Sequence, residues 1–121
     1  MEKIDILKIA SLNDAERESS MQELFKTLLS MSDAEKTGAL KELIKEMAEK
    51  ASDAQYLNLC KTNLKLASGL DDNTLKSFLK LRIDVSSSLP KNLAERDMKF
   101  IKEGLSKVDE NTRAKISKFM Q

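Results

Sequence analysis

The feature that most constrains this chain is a helix start that recurs every nineteen residues. Met21, Leu24, Phe25 and Leu28 have the i, i+3, i+4, i+7 spacing that puts four apolar side chains on one helix face. Nineteen residues on, Leu40, Leu43, Ile44 and Met47 repeat that stripe. The segment ahead of each stripe repeats too: Leu12-Asn13-Asp14-Ala15-Glu16, Met31-Ser32-Asp33-Ala34-Glu35, and twenty residues later Ala51-Ser52-Asp53-Ala54-Gln55. Weaker copies at Leu70-Asp71-Asp72-Asn73, Leu89-Pro90 and Val108-Asp109-Glu110-Asn111 keep the phase. Each full opening supplies an Asn, Ser or Asp that can accept from free first-turn amides. An acidic residue then faces the positive end of the helix dipole. Asn13 with Glu16, Ser32 with Glu35 and Ser52 with Gln55 have the spacing of a reciprocal capping box. The apolar residue before each cap is placed as a hydrophobic staple, and Pro90 suits the first turn of a helix.

A start every nineteen residues leaves room for about four helical turns and a tight connection. The spacing therefore predicts seven helices, near 3–11, 14–30, 33–49, 53–67, 72–84, 91–106 and 110–120. Gly69 is placed to end the fourth in a left-handed conformation, and Gly104 either ends the sixth or lies inside it. Ser86 to Pro90 reads as a loop, and Ile83-Asp84-Val85 as the only stretch that could be extended. No alternating run is long enough for a sheet. The expected fold is a single all-α domain over residues 1–121, its short antiparallel helices stacked as a right-handed helical-hairpin array, an α-solenoid-like superhelix. The competing arrangement is a compact helical bundle.

The openings "LNDAE", "MSDAE" and "ASDAQ", with a following stripe such as "ALKELIKEM", resemble short-helix repeats of the HEAT type. They are similar also to the helical repeats of magnesium-channel N-terminal domains and of the flagellar motor-switch protein. The resemblance covers nearly the whole chain but rests on generic helix capping. It implies protein–protein docking without catalysis. The fifth and sixth helices depart from the pattern, since polar residues intrude on their stripes.

Composition removes most chemistry. The 121 residues include no His and no Trp, one Cys, one Pro and three Gly. Without imidazole, Ser–His and Cys–His nucleophiles and Glu-x-x-His metal pairs cannot be built. A Ser–Lys pair remains, but no spacing singles one out. The isolated glycines make no phosphate loop. Glu42, Glu46 and Glu49 interleave with Lys41, Lys45 and Lys50 as a solvated face, and Asp71-Asp72 and Asp109-Glu110 are explained by capping. Cys60, on the stripe of Leu57, Leu64 and Ala67, reads as a small buried thiol. Met21, Met47 and Met98 read as core, and Met120 as exposed. No catalytic, cofactor-binding or metal-binding residue is assigned, and no cofactor is expected.

With Lys and Arg totalling 21 against 20 Asp and Glu, the net charge is +1. It is unevenly spread: residues 1–60 hold 8 basic and 12 acidic side chains, residues 61–121 hold 13 and 8. A dipolar surface of this kind can steer a charged partner. The sharpest anomaly is Arg82, which falls where the stripe Leu75, Phe78, Leu79 asks for an apolar residue. It is either paired with a carboxylate, for which Asp71, Asp72 and Asp84 are the candidates, or set in a groove to receive one from a partner. Partner binding is accordingly placed on Arg82, Lys76, Lys80, Arg96 and Lys99.

The expected partner is a protein. The alternative is nucleic acid bound by the basic second half, against which stand interspersed acids and aromatics at apolar positions. Charges at Glu2, Lys3, Asp5 and Lys8 break up the start, and no spanning segment follows, so a cytoplasmic protein without membrane contact is expected. Phe119 and Met120 mark an end where a second copy could pair.

Overall fold

The computed structural model describes residues 5–120, and among them seven helices and no strand are found. They are α1 (Ile6–Ser11), α2 (Asp14–Leu29), α3 (Asp33–Lys50), α4 (Asp53–Ser68), α5 (Asp72–Ser87), α6 (Lys91–Lys107) and α7 (Glu110–Phe119). The expectation for residues 3 and 4 lies outside the described residues. No helix among the described residues is long and apolar enough to cross a membrane.

The starts fall where the caps require. Asn13, Ser32, Ser52, Asp71 and Asp109 are all N-caps, each accepting from the amide three residues on. Ser32 with Glu35 and Ser52 with Gln55 form complete capping boxes. Asn13 departs from the box: its amide nitrogen donates to the Glu16 carboxylate at 2.8 Å. Pro90 stands at the N-cap, one residue ahead of the expected first-turn position, and its carbonyl accepts from Leu93 and Ala94.

Two expectations about helix ends need correction. Gly69 is right-handed (φ −82°), and no described residue has a positive φ. The chain leaves α4 through two short bonds, Gly69 N–H to Leu66 O and Leu70 N–H to Ala67 O, and this turn needs no left-handed residue. Ile83 to Val85 is helical, and α5 continues to Ser87. Val85 and Ser86 there are buried, so packing holds the β-branched Val85, and the half-buried Ile83 before it, in a helix that propensity alone would end early.

The helices pack in two rows, α2–α4–α6 and α1–α3–α5–α7, each touching the next of its own parity. Such alternation is what stacked hairpins produce. Further packings join α1 to α4, α3 to α6 and α4 to α7, helices three steps apart, so the stack closes around α4. One cluster of buried side chains runs from Ile6 in α1 to Ile116 in α7. Gly104 lies inside α6, where a Cβ would meet Cys60 Cβ at 3.2 Å, which places the two backbones of α4 and α6 unusually close.

Candidate functional site

The inward stripe of α5 carries Arg82 and that of α6 carries Asp97, Phe100, Ile101 and Gly104. A short turn joins the helices, so the two charges meet inside the molecule. Arg82 donates through both terminal nitrogens to Asp97, at 2.6 Å to Oδ2 and 2.7 Å to Oδ1. Tyr56 of α4 donates its hydroxyl to the same Oδ1 at 2.5 Å. Asp97 is wholly buried, while Arg82 keeps 18% of its side chain exposed. The partner of Arg82 is therefore none of Asp71, Asp72 and Asp84. Asp97 was missed in the sequence; the signal available was a charge on the stripe it shares with Phe100 and Ile101, one helix away from a charge of opposite sign.

The electrostatics follow from this geometry. Burial alone would raise Asp97, but the hydrogen bonds and charge of Arg82, then the Tyr56 hydroxyl, hold it below the usual carboxylate range. Burial opposes the charge on Arg82, and Asp97 overcomes it, so the guanidinium is held above its ordinary value. Burial and then the adjacent Asp97 carboxylate raise the Tyr56 phenol. Burial likewise pushes the Cys60 thiol up to about 12. Such a thiol stays protonated and inert.

Arg96 is also turned inward. Its guanidinium donates to the carbonyls of Met47 (3.3 Å), Ala48 (2.8 Å) and Ala51 (2.6 Å) at the end of α3, and to Asp53 at 3.2 Å. It also lies over the stacked rings of Tyr56 and Phe100, whose centroids are 4.8 Å apart. Lys76, Lys80 and Lys99, by contrast, are exposed, as are Lys91 and Lys102. On both helices these five fall on the side turned away from the buried stripe, and among the described residues none of them makes an ion pair. The structure thus divides the five expected binding residues. Two arginines are committed to the interior and three lysines face solvent.

The sequence did not single out Asn63. It lies on the inner stripe of α4 with Tyr56, Leu59, Cys60 and Ala67, and its position on that stripe was the available signal. It lines an apolar cavity of about 90 Å³ enclosed by the two rows. Asn63 Oδ1 is buried there without a hydrogen-bond partner in the protein, an arrangement that costs ~1–3 kcal/mol. Met120, expected at the surface, is half-buried and lines the same cavity, and Phe119 also packs against the core. Ile6 lines it as well, so both ends of the described chain share one interior. Among the described residues no three His, Cys, Asp or Glu side chains come together as a metal site. Compared with protein-family models, with curated proteins and with solved structures, the chain matches none.

Proposed function

We propose that this chain is a non-catalytic protein–protein docking module that holds an acidic partner on the outer faces of α5 and α6. The observation that carries the reading is the set of exposed lysines without an ion pair among the described residues, at positions 76 and 80 on α5 and 91, 99 and 102 on α6, with Asp72, Asp84, Glu95 and Glu103 among them. A lysine without an ion pair keeps its hydration and its mobility, so these side chains, of which Lys99 also lies over the Phe100 ring, supply attraction and steering to a carboxylate-rich surface without a fixed geometry. The stacked helices beneath supply a rigid base. The resemblance of the helix openings to docking repeats supports the same reading.

A protein fits these lysines better than nucleic acid does. Base stacking needs free aromatic rings, but Phe25, Tyr56, Phe78 and Phe100 are buried, and Phe119 packs against the core. The arginines that would grip phosphates as planar forks are spent on Asp97 and on the end of α3. The test is capture from native extract with the wild type and with a Lys76→Ser, Lys80→Ser, Lys99→Ser, Lys102→Ser variant. A protein bound by the wild type and lost by the variant, whose melting temperature is unchanged, is the expected result. Recovery of nucleic acid alone, with affinity falling steeply as salt rises, would replace this reading with the alternative.

A further inference from the structure

The cavity between the rows is separate from these lysines, none of which lines it. Its wall is apolar along almost all its length, with Leu24, Phe25, Leu28, Ile44 and Phe78 among its side chains. The exception is a row on the inner face of α4, where Tyr56, Cys60 and Asn63 follow one another a turn apart. Tyr56 is engaged by Asp97, and a thiol is only a weak donor. Asn63 Oδ1 is left as a buried acceptor facing no donor of the protein. Charge is balanced as well, since Arg82, the one charged residue in the wall, is held by both arms on Asp97. Half-exposed Leu43, Ile83 and Met120 belong to the same wall and give the cavity an edge toward solvent.

We propose that this cavity binds a small neutral molecule with an apolar body and a single O–H or N–H donor, which Asn63 Oδ1 accepts. The apolar wall supplies the affinity and the orphan acceptor selects the donor. Size is bounded from the volume: a dry cavity of ~150 Å³ admits benzene, so a body of up to one ring, reaching the open edge, is the upper limit here.

Phenol and fluorobenzene test the idea, since they match in shape and differ in the donor. Methyl NMR of the methionines reads the site, because Met21, Met47 and Met120 line the cavity while Met31 and Met98 do not. Phenol is expected to shift the three lining methyls saturably, at least tenfold more tightly than fluorobenzene does. In Asn63→Leu the two compounds should bind alike, and in Ala67→Val, which fills the wall, phenol should lose affinity. The proposal is overturned if millimolar phenol gives no saturable shift in the wild type. Equal binding of the two compounds, or a phenol preference that survives Asn63→Leu, overturns it too.

Discussion

Arg82 and Asp97 each occupy a position where the helical period asks for an apolar side chain, and each is tolerable there because of the other. Taking Arg82 away leaves a fully buried carboxylate with only the Tyr56 hydroxyl for company. Arg82→Leu should therefore lower the unfolding free energy by ~3–5 kcal/mol, and Arg82→Leu with Asp97→Leu should recover most of that loss. Urea unfolding of the two variants and the wild type measures both. The pair also sets a pH dependence. Because Asp97 is held below its ordinary range in the folded state, the unfolded chain takes up its proton first as pH falls. The contribution of the pair is complete above the unfolded carboxylate value, about 3.9, and is lost as pH drops through the lower folded value. Asp71 and Asp109 act in the same direction, because the Thr74 and Thr112 amides and hydroxyls bonded to them hold both carboxylates low. In Asp97→Asn the first contribution is missing at every pH. The stability gap between wild type and that variant should be wide near neutrality and should narrow in acid; a constant gap would contradict the assignment. The sequence exposed Arg82 as an anomaly but not its partner, since that choice depends on which faces of α5 and α6 meet.

Helix starts were legible because a start is local: a cap and the amide that donates to it lie three residues apart, and nothing distant is needed to read them. Helix ends were not, because here they are finished by side chains from elsewhere. Arg96 of α6 binds the last carbonyls of α3, and Lys115 of α7 binds Ser68 O at 2.7 Å and Leu70 O at 2.8 Å at the end of α4. These two cations stand nineteen residues apart and serve the helix three steps back in both cases. Arg113 does the same for α6 from the neighbouring helix, at Leu105 O and Val108 O. A cation at the negative end of a helix is favourable in itself, and several charged hydrogen bonds add to it. This is why Gly69 has no left-handed work to do. Arg96→Met should cost about 2 kcal/mol in denaturant unfolding and should speed amide exchange in the last turn of α3 more than elsewhere. Arg96→Lys should restore only part of the loss, because an ammonium cannot span the carbonyls of Ala48 and Ala51 as a planar fork does. Equal rescue by lysine would mean that charge alone, and not the reach of the guanidinium, finishes the helix.

At the scale of the molecule, the alternation of rows is what a repeated capped unit gives, while the packings between helices three steps apart are what the repeat did not foretell. In an extended stack each unit touches only its neighbours, and the ends unravel before the middle. Here α1 and α7 both pack on α4, and Ile6 and Met120 face one cavity. The end helices α1 and α7, of 6 and 10 residues, are shorter than the 16 to 18 of the helices between them, and both reach the central helix. The consequence is cooperativity, and the chain carries its own probe for it. Tyr56 is the only tyrosine, tryptophan is absent, and its ring is buried on the central helix between Asp97 and Phe100. Tyrosine fluorescence thus reports the centre, whereas far-ultraviolet circular dichroism reports all seven helices with equal weight per residue. If the ends are bound into the same core, the two signals should follow one denaturation curve with one midpoint. Loss of helical signal ahead of the Tyr56 change would show terminal helices peeling from an open array, and the closed packing around α4 would then not describe the molecule in solution.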